Sequence, residues 1–350
     1  MKHIFKIFFL IGIFILPLQL VKAQSKDSIS IIGVGDIMLG TAFPSPKYLP
    51  PHQDCSPLLF KVSHILQNAD ITFGNLEGCL LNSGPTTKNC EDTLKCYAFR
   101  MPEKYVNCLK DAGFTVLSLA NNHSGDFGMP GRNNTMRLLD SVGIEYGGLE
   151  VKPTAEFIID SIKYGFVAFA PIRATLDMLN LKKASQIVKN LKARNDIVIV
   201  SFHGGAEGKL YEHITRETEK FYGEDRGNVF EFAHQMIDAG ADIIFGHGPH
   251  VTRGIEVYKN RFIAYSLGNF STYARFNLSG PNGIAPIIKV FTNKQGEFLS
   301  GQIYSIQQLG EGGAQPDPNN KVLKRIQKLN KQDFPESNLQ ILDNGHFLLK

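Results

Sequence analysis

Short apolar runs rich in Ile, Val and Phe recur along the chain, and a glycine-rich or polar break follows each of them. Seven of these runs predict buried strands, at residues 30–35, 69–74, 114–120, 165–170, 196–202, 241–246 and 261–268. Stretches with helical periodicity lie between most of the runs, at residues 56–68, 102–113, 132–143, 181–195 and 227–240. Strands that are apolar on both faces and alternate with helices predict an α/β protein with a mostly parallel sheet covered by helices.

The pattern changes after about residue 255, where the apolar runs come closer together and predict hairpins instead of strand-helix pairs. A loop rich in Gly, Pro and Asn follows at residues 310–320. Beyond this loop, residues 322–334 predict a surface helix, and residues 339–350 predict a hairpin that turns at Asn344-Gly345. We therefore expect one main domain over residues 28–306 and a C-terminal appendage of loop, helix and hairpin over residues 307–350.

The N-terminus has the organisation of a secretory signal peptide. Lys2 and Lys6 precede an apolar run that extends from Ile7 to Val21. The small-residue pattern that ends at Ala23 predicts cleavage after that residue. An uncleaved anchor is the alternative, although Pro17 interrupts the run and leaves it short for a membrane span. The expectation is a signal peptide over residues 1–23 and an exported protein, periplasmic or on the cell surface.

The net charge of the chain bears on which partners the protein binds. Removal of residues 1–23 lowers the formal net charge from +4 to +1, because the segment carries three lysines and no acid. A nearly neutral surface argues against nucleic acid as a partner.

All five cysteines lie in the first third of the chain, and an odd count leaves at least one unpaired. Cys90 and Cys96 flank a short polar stretch and are the expected disulfide; reduced, partly buried thiols are the alternative.

Residues of metal-ligand type follow five of the predicted strands. They are Asp36, then Asn75 and Glu77, then Asn121, Asn122 and His123, then His203, and finally His247 and His250. Open α/β sheets place ligand sites at the carboxyl ends of their strands. Singly, each residue has an ordinary explanation, such as a helix cap for Asp36 or a tight turn for the asparagines. Because five independent strand ends supply carboxylate, carboxamide and imidazole groups, the sequence predicts a divalent-metal site.

Five segments in the same order resemble the bacterial capsule synthesis CapA family. They are GDIMLG (35–40), GNLEG (74–78), LANNHSGDFG (119–128), FHGGAEG (202–208) and the long block at 246–270. Members of this family are also described as poly-gamma-glutamate biosynthesis proteins, and their domain is related to calcineurin-like metallophosphoesterases. The resemblance implies a metallophosphatase-like sandwich of two mixed β-sheets flanked by helices, and it implies that residues 28–306 form a CapA-type domain.

The resemblance also implies roles for individual residues. The implied metal ligands are Asp36, Glu77, Asn122, His203, His247 and His250, and the implied general acid is His123. Residues expected to support these groups or to contact substrate are Asn75, Asn121, Asp126, Glu207 and Arg253. The implied cofactor is one or two divalent ions, with Mn, Fe and Zn left open.

Departures from the metallophosphatase pattern leave the number of metals open. Met38 stands where those enzymes have the histidine of Asp-x-His, and the final pair is His-x-x-His. Gly204 stands where the family carries a Trp, and Glu207 is expected to orient His203. Arg100 and Arg253 are further candidates for holding an anionic group of the substrate.

Two functions are consistent with these features. The first is an exported metal-dependent hydrolase that acts on a phosphoester or an amide bond in a cell-envelope polymer. The alternative is a non-catalytic, polymer-binding component of a capsule synthesis or export complex. The expected partners are an anionic cell-envelope polymer or a small phosphorylated or amide substrate, and capsule synthesis or export proteins.

Overall fold

The computed structural model describes residues 28–350. The signal peptide predicted over residues 1–23 lies outside the described residues. Among residues 28–350, no helix has both the length and the apolar character needed to cross a membrane.

The elements follow the predicted alternation of strands and helices. The strands are β1 (Ile29–Met38), β2 (Ile71–Leu76), β3 (Cys79–Leu80), β4 (Arg100–Met101), β5 (Val116–Ser118), β6 (Glu145–Gly147), β7 (Thr154–Ile159), β8 (Ile162–Phe169), β9 (Ile197–His203), β10 (Glu219–Phe221), β11 (Glu224–Gly227), β12 (Ile243–His247), β13 (Ile255–Tyr258), β14 (Arg261–Ala264), β15 (Asn269–Thr272), β16 (Ile284–Thr292), β17 (Phe298–Gln308), β18 (Ala314–Pro316), β19 (Leu339–Ile341) and β20 (His346–Leu349). The helices are α1 (Pro57–Leu66), α2 (Tyr105–Ala112), α3 (Gly128–Val142), α4 (Leu181–Lys192), α5 (Val229–Asp238) and α6 (Lys321–Asp333).

Sixteen of these strands form two large mixed sheets, where the apolar pattern alone predicted one mostly parallel sheet, and β3–β4 and β10–β11 form separate two-stranded pairs. The first sheet runs β19-β20-β17-β16-β1-β2-β5-β6, with β15 paired to β1 and β18 to β17, and the second runs β13-β14-β12-β9-β8-β7. In the first sheet the strands from β1 to β6 pair in parallel and those from β1 to β19 pair antiparallel, whereas the second sheet has a parallel centre with an antiparallel pair at each edge. The sandwich of two mixed sheets flanked by helices, which the resemblance implied, is therefore confirmed.

Aromatic side chains fill the layer between the two sheets. The ring of Phe73 on β2 stacks on that of Phe245 on β12 with centroids 5.2 Å apart, and Phe166 on β8 lies 5.6 Å from Phe73. Gly33 on β1 makes room for this stack, because a Cβ there would come within 2.3 Å of the Phe245 ring. Helices cover the outer faces, α1 to α3 on the first sheet and α4 and α5 on the second.

The C-terminal segment has the predicted helix and hairpin, but it belongs to the sandwich. Residue 307 lies inside β17, so the structure has no boundary there. β20 pairs with β17 through Phe347 and Gly301, which adds the hairpin to the first sheet. Val322 and Ile326 of α6 are buried in the layer between the sheets. The last residues of the chain therefore complete the core.

The Cys90–Cys96 disulfide is present as predicted. A second disulfide joins Cys55 to Cys108, and Cys79 is a free, buried thiol. The sequence left these three cysteines unassigned because their spacing carries no pairing signal.

Removal of the short disulfide is expected to have a moderate effect on stability. The Cys90→Ala/Cys96→Ala variant should lower the free energy of unfolding by about 2 kcal/mol, since the cross-link closes a loop of only a few residues. Urea unfolding measures this change, with Thr93→Ala in the same loop as the control. An unchanged free energy would contradict the expectation.

Candidate metal centre

The two sheets bring the predicted ligand residues to one place. Asp36 near the end of β1 pairs in register with Asn75 on β2, and His203 at the end of β9 pairs with His247 at the end of β12. Because β1 and β2 belong to one sheet and β9 and β12 to the other, the site spans the top of the sandwich. Glu77 follows β2 directly.

Asp36 lies at the centre of the group and is fully buried. Its Oδ1 accepts hydrogen bonds from Asn75 Nδ2 at 2.8 Å and His247 Nδ1 at 3.1 Å, and its Oδ2 lies 2.9 Å from His250 Nδ1. Burial alone would raise the pKa of Asp36, but the hydrogen bonds from His247 and His250 hold this pKa below its ordinary value. Asp36 is therefore an ionised, preoriented carboxylate.

Glu77 is fully buried, and neither carboxylate oxygen has a hydrogen-bond partner among residues 28–350. Its Oε1 lies 3.6 Å from His250 Nε2 and 3.9 Å from His123 Nε2. Burial, with the nearby Asp36, raises the pKa of Glu77 well above its ordinary value. A buried carboxylate without partners is costly, and a cation beside it would remove that cost.

His250 completes this group with an unusual backbone. Its φ of 57° lies in the left-handed region, which is rare for a bulky residue and is commonly found at functional sites. Burial opposes protonation of His250, but Glu77 and Asp36 raise its pKa to about 10. Donor atoms of Asp36, Glu77 and His250 all lie within 4.8 Å of one another, as a shared metal ion would require.

Further donors around this group also lack partners in the described part of the chain. Both ring nitrogens of His203, Nε2 of His247 and Oδ1 of Asn122 are buried without a hydrogen bond. Burial lowers the pKa of His203 well below its ordinary value, which keeps the imidazole neutral and able to bind a cation. Buried polar atoms are normally paired. Orphaned oxygen and imidazole donors at one point fit a divalent cation.

His123 lies at the edge of this group and is oriented by Asp126. His123 Nδ1 lies 2.8 Å from Asp126 Oδ2, and the ring stacks on Phe99 with centroids 4.0 Å apart. Lys88 Nζ is 2.8 Å from Asp126 Oδ1 and 3.3 Å from His123 Nδ1. Burial lowers the pKa of His123, and Lys88 acts in the same direction while Asp126 opposes it. Nε2 is the nitrogen left to face the metal group.

Asn75 and Asn121 connect the acidic and histidine parts of the site. Asn121 Nδ2 donates to Asn75 Oδ1 at 3.1 Å and to the Leu76 carbonyl at 2.9 Å. Asn121 Oδ1 accepts from the backbone N–H of His123 at 3.1 Å. Both asparagines are fully buried, so they fix the positions of Asp36 and His123.

Residues 30–273 match the family described as "Bacterial capsule synthesis protein PGA_cap". The chain belongs to this family. The PGA_cap match contains all of the residues predicted to bind metal, from Asp36 to His250.

The sequence of this PGA_cap protein is similar to those of two Bacillus proteins named CapA. The chain is 30% identical over 269 residues to "Capsule biosynthesis protein CapA" of Bacillus anthracis, and 32% identical over 266 residues to "PGA biosynthesis protein CapA" of Bacillus subtilis. Each alignment covers 71% of this chain, and it covers 61% and 65% of the two relatives. The chain therefore spans less than two thirds of the length of either relative.

Among solved structures, the chain is similar to that of a 5'-nucleotidase precursor from Thermus thermophilus. The identity is 13% and the TM-score is 0.43, and the superposition covers 87% of this chain and 58% of that one.

In this PGA_cap protein, Glu207 and Arg253 make contacts that differ from those expected from the sequence. Glu207 lies 3.3 Å from Arg226 Nη2, and the unpaired nitrogens of His203 show that Glu207 does not orient that ring. Arg253 is fully buried, and its guanidinium donates to both oxygens of Glu219 at 2.7 and 2.6 Å. Arg253 therefore holds a counter-ion of its own, and its donors are not free to bind an anionic substrate.

Arg100 and Met38 also contribute no group to the candidate site. Arg100 Nη1 donates to the Gly84 carbonyl, and its guanidinium lies 5.2 Å from the centroid of the Phe127 ring. Met38 is fully buried at the end of β1 and offers no nitrogen to the metal group. Neither side chain contributes to the candidate site.

A cleft of about 640 Å³ opens from His123 and His250 to the surface. Its walls include residues that sequence reasoning missed, among them Lys88, Phe99, Asn269 and Arg226. Asn269 lies 3.1 Å from His250 Nδ1 and sits in the LGNF end of the last family-like block, which was the available signal for it. The others lie in loops and a small hairpin whose place could not be inferred from periodicity.

Proposed function

We propose that this protein is a metal-dependent hydrolase that cleaves a phosphoester or amide bond during biosynthesis of a capsule or another cell-envelope polymer. The observation that carries the proposal is the set of buried, unpartnered donor atoms around Asp36, Glu77 and His250. A site that only needed to be stable would leave few such atoms unpaired. Two disulfides support the further proposal that the protein works outside the cytoplasm.

The residues that would hold the metal are Asp36, Glu77, Asn122, His203, His247 and His250. A divalent cation bound there supplies Lewis-acid polarisation of a substrate oxygen and lowers the pKa of a water. The protein itself contributes a rigid arrangement, because hydrogen bonds already fix Asp36 between His247 and His250. The buried setting strengthens every charge interaction with the reacting group.

His123 is the proposed general acid. Its Nδ1 is held by Asp126, which leaves Nε2 toward Glu77 and the cleft. A proton on Nε2 can be passed to the leaving group, and the lowered pKa of His123 favours release of that proton. Because Asp126 accepts the Nδ1 proton, the acid is the imidazolium form of His123, which Asp126 stabilises and which becomes the neutral Nδ1–H tautomer once the Nε2 proton has left.

Elemental analysis of residues 24–350 tests the proposal most directly. The protein is purified without chelator and without a His tag, and Mn, Fe and Zn are quantified by plasma mass spectrometry. Two equivalents per chain would support a binuclear hydrolase, and one would support a mononuclear site altered at Met38. No metal, even after Mn or Zn is added back, would contradict the proposal and favour the non-catalytic polymer-binding alternative.

Glu77→Gln is expected to weaken metal binding without loss of the fold. Affinity for added Mn²⁺ should fall by at least about tenfold, because one charged donor is lost from the group. The metal-free variant should be at least as stable as the parent, since a buried carboxylate without hydrogen-bond partners is replaced by a neutral amide. Calorimetric titration with Mn²⁺ and thermal unfolding measure the two effects, with the exposed Glu91→Gln as the control. Equal Mn²⁺ affinity in parent and variant would argue against Glu77 as a ligand.

A further inference from the structure

The cleft above the metal group is lined by aromatic rings on separate loops, and two tyrosines form its exposed mouth. Tyr222 is 92% exposed and Tyr97 is 53% exposed, and both line the cleft. Phe99 and Phe276 lie deeper, with ring centroids 5.3 Å apart. Large exposed aromatic side chains beside a polar pocket are typical of a surface that contacts a ligand.

Tyr222 is held in a backbone conformation that tyrosine rarely adopts. It forms, with Gly223, the two-residue turn between β10 and β11, where the φ values are 48° and 82°. This turn type favours Asn or Asp followed by Gly. A bulky residue there is an outlier that points to a function, and its ring packs against Phe221 with centroids 4.4 Å apart. The hairpin therefore presents Tyr222 to the cleft at a cost that Asn would avoid.

Tyr97 is fixed from the other loop. The guanidinium of Arg275 lies 4.5 Å from the centroid of the Tyr97 ring, and Arg275 also donates to the Cys96 carbonyl at 2.6 Å. The Cys90–Cys96 disulfide closes the same loop. One aromatic face is thus held in place at the mouth before any ligand arrives, which lowers the entropy cost of binding.

Carboxylates of the protein already neutralise two cations in the cleft, Lys88 and Arg226. Lys88 pairs with Asp126 at 2.8 Å and Arg226 pairs with Glu224 at 3.1 Å, whereas Arg275 donates to the neutral Cys96 carbonyl at 2.6 Å and keeps its charge. A polyanion with a carboxylate on every residue would need several free cations along its path. Flat apolar rings combined with carboxamides, which both donate and accept hydrogen bonds, suit a ligand with apolar faces and many hydroxyl groups.

From these features we infer that the cleft binds a sugar ring joined to a phosphate, with the ring against Tyr97 and Tyr222 and the phosphate at the metal group. This inference rests on the proposed function and narrows its substrate to a glycosyl phosphoester. A carbohydrate polymer linked through phosphate has both parts, whereas a poly-gamma-glutamate chain has neither.

The experiment compares a phosphate that carries a sugar ring with one that does not, alongside a nucleotide and a polyanion. Glucose 1-phosphate, glycerol 1-phosphate, AMP and a γ-glutamyl decamer are titrated into the Mn²⁺-loaded full chain, with affinity measured by calorimetry. Glucose 1-phosphate should bind roughly three- to tenfold more tightly than glycerol 1-phosphate. Tyr222→Ala should abolish this preference while leaving the affinity for glycerol 1-phosphate unchanged.

Two further variants separate binding from folding. Tyr222→Asn should also lose the preference for the sugar ring, and yet its thermal unfolding midpoint should rise, because Asn suits this turn. Phe60→Ala removes an aromatic ring that is 76% exposed on α1 and outside the cleft lining, and it should leave all four affinities unchanged.

Several results would overturn the inference. They are equal affinities for the two phosphates, a sugar preference that survives Tyr222→Ala, tighter binding of AMP, and tighter binding of the γ-glutamyl decamer. Failure of the proposed function is a separate result: a tyrosine-dependent sugar preference without turnover of any phosphoester would support the ligand class and reject the hydrolase.

Discussion

His203→Ala is expected to reduce metal-dependent turnover by about a thousandfold, equivalent to about 4 kcal/mol of transition-state stabilisation. Both nitrogens of His203 are buried, and no hydrogen-bond partner for them exists within residues 28–350. In the proposed function His203 is a metal ligand, and alanine offers no donor atom in its place. The metal content of the purified variant should fall in parallel, which elemental analysis would show.

The same change is expected to leave the metal-free fold nearly as stable as the parent. Loss of packing around the ring is offset by removal of two unsatisfied buried nitrogens, so the free energy of unfolding should change by about 1 kcal/mol or less. His234→Ala is the matched control, because His234 bonds to Glu256 at 3.0 Å outside the site. That variant should keep its metal and its turnover. Full turnover in His203→Ala would place the chemistry elsewhere.

Glu219→Gln is expected to lower the free energy of unfolding by about 3–5 kcal/mol. Arg253 is fully buried, and Glu219 is the only acid that neutralises its guanidinium among the described residues. Glutamine keeps the shape of the side chain but leaves the guanidinium charge buried without a counter-ion. Glu219 Oε2 also accepts from the Ala206 N–H at 2.8 Å, so the loop that carries Glu207 should loosen too. Urea unfolding monitored by circular dichroism measures the loss.

An exposed pair in the same protein provides the comparison. Glu156 and Arg194 form a salt bridge of 2.8 Å, with 39% and 56% of their side chains exposed. Glu156→Gln should cost less than about 1 kcal/mol, since water screens both charges. Similar costs for the two variants would show that burial does not determine the strength of the Arg253–Glu219 interaction.

Much of the fold was predictable because its central strands are apolar on both faces. The division of these strands between two sheets was not predictable from that pattern. Phe73 and Phe245 bury each other across the two sheets. The apolar strands that carry them would have the same sequence pattern if each were covered by a helix instead. The second sheet was predicted only from the resemblance to a known family.

The candidate site was predictable where the residues lie at the carboxyl end of a strand or directly after it, as for Asp36, Glu77 and His203. It was not predictable where a contact depends on how a loop folds back. Glu207 meets Arg226 because the β10–β11 hairpin returns to the cleft, and no periodicity in the sequence describes that return. Lys88 is a similar case, since it reaches Asp126 from a loop that lacks regular structure.

The position of the last strand has a consequence for how the chain acquires its structure during synthesis. Val322, Ile326 and Phe347 fill the layer between the sheets, and the ribosome releases them after the strands from β1 to β16 have emerged. Until then the inner faces of both sheets stay open and apolar, which is a state prone to aggregation and accessible to chaperones. The layer between the sheets therefore stays incomplete in the nascent chain until residues 322–347 have been made, and a truncation before α6 would leave this layer exposed to water.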